Sequence, residues 1–207
     1  MNSECMMYIH GKGGHPDEAR YFRNLCEGCE IIGLDYHGTT PYDTKPEILA
    51  EYASLRRKFG SVSVIAVSIG AYFCMNALHE AEIERAFFIS PVVNMERLIA
   101  GMMKFAGVSE AELEAKQEID TEWGEKLSWK YLCYVRENPL QWTAPTWILH
   151  GEKDNLIPVE SVRTFAQKHN AELTVMPGGE HWFHTEEQLA FLEEWFRKYI
   201  NREENLS

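Results

Sequence analysis

The chain alternates between short apolar runs and longer stretches whose apolar residues recur at helical spacing. A short apolar run bounded by glycine, proline or polar residues predicts a buried strand, and the periodic stretches between the runs predict helices. This alternation predicts a parallel sheet whose strands are joined by crossover helices. The six predicted strands are residues 5–9, 30–34, 62–67, 86–89, 146–149 and 172–176.

Local signals set the ends of the predicted helices. Pro16 suits the first turn of the first helix, and Gly28 suits its C-terminal cap. The second helix starts near Pro46 and stops at Gly60. The other helices around the sheet are predicted over residues 69–79 and 159–169 and from Thr185 onward.

The strand rhythm is lost between the fourth and fifth strands, in residues 92–143. Asn94 can cap a first helix there, Ser109 begins a second, and a third is predicted over residues 126–137. The sequence therefore predicts one α/β domain over residues 1–207, with a mostly parallel six-stranded sheet flanked by helices. A helical cap is inserted in it after the fourth strand.

Reactive residues follow three of the predicted strands, and right-handed crossovers place the carboxyl ends of these strands on one edge. Ser68 lies in the pattern Ala66-x-Ser68-x-Gly70, between a β-branched strand and a helix. Small flanking residues leave room for a strained turn that lifts the hydroxyl out of the sheet. The backbone N–H of Ile69 can then stabilise an oxyanion. The alternative is an ordinary serine that caps a helix.

An acid and a base follow the last two strands. Asp154 comes after the fifth strand, where it can orient a histidine, although it could equally form a turn and Glu152 could replace it. His181 comes after the sixth strand and a pair of glycines, where it can act as general base. His184 is its competitor. The order serine, acid, histidine is the one expected for a hydrolase of this architecture.

A glycine-rich loop at residues 10–14 follows the first strand. Glycines let a backbone approach a ligand closely, so the loop can offer a second oxyanion N–H, which we assign to Lys12. It lacks the pattern of a phosphate-binding loop. We expect His10 to hold the loop rather than to take part in chemistry.

Composition narrows the function further. The chain has 207 residues, a formal net charge of -12 and a pI near 5.1. An acidic surface repels phosphate backbones and anionic lipids, which excludes nucleic acid and membrane as partners. Because no apolar run approaches the ~20 residues that span a bilayer and no signal peptide is evident, we expect a cytoplasmic protein.

The five cysteines fit a reducing compartment, since their number is odd. Cys26 and Cys29 form a C-x-x-C pair that suggests half a zinc site or a redox pair. A zinc site needs further ligands at metal spacing, which the sequence lacks. We therefore expect two thiols near one helix end, and no metal or organic cofactor.

Five motifs lie along the chain: H-G-x-G-G at residues 10–14, D-x-x-G at 35–38, A-x-S-x-G at 66–70, H-G-x-x-D-x-x-x-P at 150–158 and G-G-x-H-x-F at 178–183. Together they resemble the α/β-hydrolase superfamily over nearly the whole chain. The resemblance implies catalytic roles for Ser68, Asp154 and His181, with oxyanion N–H groups from Lys12 and Ile69. The elbow departs from the family pattern by starting with alanine. The chain also lacks the family's first two strands, which implies the strand order second, first, third, fourth, fifth, sixth.

These features predict a serine hydrolase that transfers the acyl group of a small or medium carboxylic ester to Ser68 and then to water. A thioesterase or an aminopeptidase-like amide hydrolase would use the same three side chains. A binding domain without catalytic activity, built on the same scaffold, is the alternative from another class.

The insertion carries apolar residues that could line an acyl pocket, since methionine adapts to varied shapes. The alternative, which we favour for most of them, is that they pack the insertion onto the core. If exposed, apolar residues of the insertion would favour a homodimer, although the sequence does not establish the oligomeric state. The predicted pocket residues are Met95, Met102, Met103 and Trp129.

Overall fold

A computed structural model describes residues 4–26 and 28–201. Six of its strands form one sheet in the order β2-β1-β3-β4-β7-β8, and each neighbouring pair is parallel. This confirms the predicted sheet and its strand order. The strands are β1 (Glu4–Ile9), β2 (Glu30–Gly33), β3 (Ser61–Val67), β4 (Ala86–Ile89), β5 (Glu118–Asp120), β6 (Lys126–Ser128), β7 (Thr146–Gly151) and β8 (Glu172–Met176).

Helices connect the strands of the sheet. Among the described residues, none of them is both long enough and apolar enough to cross a membrane. A short 3-10 helix at Pro16–Glu18 precedes the first. The α-helices are α1 (Ala19–Arg23), α2 (Pro41–Phe59), α3 (Ile69–Leu78), α4 (Met95–Ala106), α5 (Glu110–Lys116), α6 (Trp129–Glu137), α7 (Val159–His169) and α8 (Glu186–Ile200).

The start of α2 differs from the prediction, which placed it near Pro46. Thr40 caps the helix by accepting from the N–H of Asp43, and Pro41 occupies the first turn. Pro46 then lies in the second turn, where its missing N–H removes one intrahelical bond. The early Thr-Pro cap therefore outweighs the proline that we used as a start signal.

The centre of the sheet is buried on both faces. Every residue of β4 is buried, and so is every residue of α3 from Gly70 to Leu78. On the other face, Phe196 of α8 packs its ring 5.3 Å from that of Phe87 and 5.2 Å from that of Phe22. Such a core fixes the sheet as a rigid platform, and the loops at its carboxyl edge start from fixed points.

Residues Asn94–Leu140 form a second compact unit. The prediction of a helix over residues 126–137 is wrong at its start, because Lys126–Ser128 pairs as an antiparallel strand with Glu118–Asp120. Ser128 then caps α6 by accepting from the N–H of Tyr131. The cap sets the helix start three residues later than the apolar spacing suggests.

The pair Cys26 and Cys29 also differs from the prediction, because its sulfur atoms are joined in a disulfide. The chain leaves α1 in a turn in which the N–H of Cys29 donates to the carbonyl of Cys26 at 3.4 Å. The turn brings the two Cα atoms to 5.5 Å, a separation that a disulfide spans. The expectation of two free thiols is therefore wrong.

Candidate active site

Ser68 lies in the turn between β3 and α3, with a φ of 53° and a ψ of -121°. A positive φ is costly for a side chain with a Cβ and is kept only where the surroundings enforce it. The flanking Gly70 is required because a Cβ there would overlap the carbonyl oxygen of His10. The hydroxyl of Ser68 makes no capping bond within the described chain, so the interpretation as a helix cap is wrong.

The hydroxyl faces a histidine from the far end of the sequence. Ser68 Oγ lies 2.9 Å from His181 Nε2, and His181 Nδ1 lies 2.6 Å from Asp154 Oδ2. The side chain of His181 is 24% exposed, whereas that of Asp154 is fully buried. The three residues that the sequence singled out as nucleophile, base and acid therefore form one hydrogen-bonded chain.

Asp154 is held by the backbone of its own loop. Its Oδ1 accepts from the N–H groups of Leu156 and Ile157, each at 2.8 Å, which leaves Oδ2 to His181. Burial alone would raise the pKa of Asp154, but the bonds from His181, Ile157 and Leu156 outweigh it and the pKa lies below its ordinary value. The carboxylate is therefore charged at neutral pH.

The two competing residues have other partners. The carboxylate of Glu152 accepts from the N–H of Gly178 at 2.9 Å. The side chain of His184 is 43% exposed, and its Nδ1 lies 2.8 Å from the carbonyl oxygen of Trp182. The geometry therefore favours Asp154 over Glu152 and His181 over His184.

The acid loop and the histidine loop are packed against each other. The N–H of Lys153 donates to the carbonyl of Gly179 at 2.7 Å. At Gly151 a Cβ would overlap the carbonyl oxygens of Gly179 and Glu180. Glycine at this position is therefore what lets the loop that carries His181 lie against the end of β7.

The glycine-rich loop after β1 runs alongside Ser68. A Cβ on Gly11 would come within 3.2 Å of the Ser68 Cβ. The N–H of Gly14 donates to the carbonyl of Gly11 at 3.1 Å, and Gly13 takes a φ of 71° that closes the turn. The loop is thus near the nucleophile, while the oxyanion roles of Lys12 and Ile69 stay predictions.

Tyr36 contacts the glycine-rich loop at residues 10–14, and the sequence did not indicate this contact. Its ring stacks on that of His10 with centroids 4.3 Å apart, and its hydroxyl donates to the His10 carbonyl at 2.8 Å. His10 Nδ1 lies 2.8 Å from the carbonyl of Gly11. Burial raises the pKa of Tyr36, so the hydroxyl stays a donor. As expected, His10 contributes to loop structure.

Two large apolar side chains close to His181 and Asp154 in the sequence are exposed to solvent. Trp182 directly follows His181 and is 74% exposed, and Leu156 lies two residues after Asp154 and is 50% exposed. The ring of Trp182 is steadied by stacking on that of His184, with centroids 5.0 Å apart.

The four residues predicted to line an acyl pocket all belong to the second unit. Met95 and Met103 are buried, whereas Met102 and Trp129 are partly exposed. Their assignment to a pocket stays a prediction.

No protein-family model matches the sequence, and no curated protein is detectably similar to it in sequence. Solved structures do resemble it. Est1E from Butyrivibrio proteoclasticus has a TM-score of 0.73 at 20% identity over 96% of this chain and 87% of its own. The mouse alpha/beta hydrolase domain-containing protein 10 has a TM-score of 0.68 at 14% identity, over 96% of this chain and 90% of its own.

The Pyrococcus furiosus esterase Pf2001 has a TM-score of 0.62 at 21% identity, over 95% of this chain and 83% of its own. At such identities the likeness establishes architecture alone. Together with the strand order, it shows that the chain has the α/β-hydrolase fold.

Proposed function

We propose that this protein is a serine hydrolase that cleaves small or medium carboxylic esters through an acyl-enzyme on Ser68. The observation that carries the proposal is the hydrogen-bonded chain from Ser68 Oγ through His181 to Asp154. A buried carboxylate, an imidazole and a strained serine in this geometry make up an activated nucleophile. A binding domain without catalytic activity has no need for an imidazole that is hydrogen-bonded both to a serine hydroxyl and to a buried carboxylate.

The proposed reaction begins with the tautomer that the hydrogen bonds favour. The charged Asp154 can only accept, so His181 Nδ1 carries the proton and Nε2 is free to act as base. Nε2 takes the Ser68 proton as Oγ bonds to the ester carbonyl carbon. The C–O bond to the leaving alcohol then breaks, and its oxygen takes the proton from His181.

Water then repeats the sequence. His181 removes a proton from water, the hydroxide attacks the acyl-enzyme, and Ser68 leaves with the proton returned by His181. In both halves the N–H groups of Ile69 and Lys12 are proposed to hold the oxyanion, an interaction worth ~3–4 kcal/mol per donor in a well-studied case. Asp154 stabilises the imidazolium that forms in each half.

An apolar substrate portion fits the proposed site best. Trp182 and Leu156, which follow the base and the acid in the sequence, expose apolar surface. Of the solved structures similar to this chain, Pf2001 is an esterase by name, and one structure of Est1E is described with ferulic acid bound. We therefore include aromatic esters among the candidate substrates.

The direct test is labelling with a fluorophosphonate probe. We expect wild type to be labelled and Ser68→Ala not to be. Ser90→Ala is a matched control, because Ser90 follows β4 as Ser68 follows β3 and also has a positive φ, 46°. Labelling of Ser68→Ala at the wild-type rate, or an unlabelled wild type, would contradict the proposal.

The substrate class is tested with a panel of p-nitrophenyl esters of rising acyl length, a feruloyl ester, an acyl thioester and an aminoacyl anilide. We expect kcat/KM to be highest for the oxygen esters. A higher kcat/KM for the thioester or the anilide would leave Ser68 as nucleophile and replace the ester assignment.

A further inference from the structure

A second histidine, which has no part in the proposed proton transfers, lies beside the catalytic carboxylate. His150 lies in β7, four residues before Asp154, and is completely buried. Its Nε2 lies 3.0 Å from the carbonyl oxygen of Ile157 and 3.6 Å from Asp154 Oδ2. Buried imidazoles are seldom kept without a partner that defines their orientation.

The contacts define the protonation of this imidazole. A carbonyl oxygen can only accept, so Nε2 carries the proton and donates it to Ile157. Nδ1 has no hydrogen-bond partner among the described residues, and an unpaired lone pair costs less there than an unpaired N–H would. Burial lowers the pKa of His150; Asp154 and His181 are the titratable groups that act on it, in opposite directions. The ring is therefore neutral.

His150 and Asp154 both form hydrogen bonds to the backbone of Ile157. The carbonyl of Ile157 accepts from His150, and its N–H donates to Asp154 Oδ1 at 2.8 Å. The hydrogen bond from His150 to Ile157 therefore links the turn that carries Asp154 to the rigid end of β7. With Oδ1 committed to the backbone, Oδ2 is directed at His181.

We propose that His150 is a positioning residue that fixes the Asp154–Ile157 turn, so that the carboxylate stays aligned on His181. The proposal rests on the proposed function, because it assigns a role within the same hydrogen-bonded chain. It predicts that activity depends on an N–H donor at the position of His150 Nε2 and does not depend on the basicity of the imidazole.

Two substitutions separate the donor from the rest of the side chain. His150→Gln keeps a side-chain N–H at about the position of Nε2, and His150→Leu removes it. We expect His150→Leu to lower kcat by roughly ten- to a hundred-fold with little change in KM, since a displaced catalytic group can cost this much. His150→Gln should stay within about three-fold of wild type, because the Ile157 carbonyl keeps its donor.

A matched control lies on the helix that follows β7. His169 of α7 also places a ring nitrogen, Nδ1, against a backbone carbonyl, that of Trp142, at 2.9 Å. His169→Leu and His169→Gln remove a comparable bond away from the carboxylate. We expect both to leave kcat unchanged, whatever they do to the melting temperature.

Two readouts respond to alignment and not to general packing. In His150→Leu the acid limb of the kcat/KM profile should move to lower pH, because a misplaced carboxylate stabilises the imidazolium of His181 less. The downfield proton resonance of the His181–Asp154 hydrogen bond should weaken in the same variant. Both should be retained in His150→Gln.

The outcomes are distinct. Equal loss of kcat in the leucine and glutamine variants, or no loss in either, would overturn the positioning role. If His150→Leu does not fold, nitrogen-15 spectra of wild-type histidines decide instead: a neutral ring protonated on Nε2 supports the role, and one protonated on Nδ1 overturns it. An unlabelled wild type in the fluorophosphonate test would reject the hydrolase itself.

Discussion

Two strands of the sheet end in the same dipeptide, and the two ends are built differently. β1 runs into His10-Gly11, and β7 ends in His150-Gly151. Both histidines are buried, and each places a ring nitrogen against a backbone carbonyl. Both glycines lie where a Cβ would press on a neighbouring loop.

The two strand ends differ in how far along the chain the histidine's hydrogen-bond partner lies. They also differ in the functional group that the following loop carries. His10 contacts the carbonyl of the next residue, Gly11, and stacks on Tyr36. Its contacts therefore stabilise the backbone of the loop at residues 10–14. His150 reaches seven residues ahead to Ile157 and closes a turn that carries a charged side chain. The same dipeptide therefore supports a loop that can present N–H groups at one strand end and a carboxylate at the other.

The largest effect is expected at the carboxylate of the β7 end. Asp154→Asn keeps the shape but favours the wrong tautomer of His181, so kcat should fall by about 10³–10⁴ with folding retained. Steady-state ester hydrolysis measures this. Glu152→Gln is the control and should lower kcat far less; the reverse ranking would make Glu152 the acid.

The next largest effect is expected from substitution of the two glycines, Gly151 and Gly11. Gly151→Ala forces a Cβ onto two carbonyl oxygens, and we expect the free energy of unfolding to fall by about 2 kcal/mol or more. At Gly11 the nearest atom to such a Cβ is 3.2 Å away, so Gly11→Ala should be less destabilising. Urea unfolding of both variants compares them, and equal destabilisation would show that the two ends are equally crowded.

A smaller effect is expected at the β1 end from Tyr36→Phe. Loss of the bond to the His10 carbonyl should lower kcat by roughly three- to ten-fold and destabilise the fold by about 1 kcal/mol. Tyr52→Phe is the control, since the Tyr52 hydroxyl also donates to a backbone carbonyl, that of Glu82, at 2.8 Å. It should change neither kcat nor KM, and a matching loss of kcat there would remove the loop-holding role of Tyr36.

The smallest effect concerns acid stability. The pKa of Asp154 is lowered from 3.8 in the folded chain, so its charge stabilises the fold above that pH. The stabilisation is lost as pH falls through the lowered value. The difference in free energy of unfolding between wild type and Asp154→Asn should therefore shrink below pH 3.8. A difference that stays constant with pH would mean that the pKa is not lowered by folding.

Much of this arrangement can be predicted from the sequence because the signals are local. β4 and β8 have the predicted bounds, and Ser68, Asp154 and His181 each follow a strand whose pattern is clear in sequence. Parallel strands bring their ends to one edge whatever the details of packing.

The residues that sequence patterns do not reveal act through contacts across the fold. Nothing in the sequence marks Tyr36, because its partner, the carbonyl of His10, lies 26 residues away. His150 stands out only as part of a motif, since its role depends on where the turn places Ile157. The Cys26–Cys29 bond depends on a turn that follows α1 and brings the two Cα atoms together. Local patterns do not encode such distances.

Trapping the acyl-enzyme would show directly whether Ser68 is the nucleophile. Wild-type protein is mixed with p-nitrophenyl butyrate, quenched in acid within the first turnover, and examined by intact-protein and peptide mass spectrometry. We expect one butyryl group per chain, on Ser68, and none in Ser68→Ala. A butyryl group on another residue, or hydrolysis at the wild-type rate in Ser68→Ala, would contradict this role of Ser68.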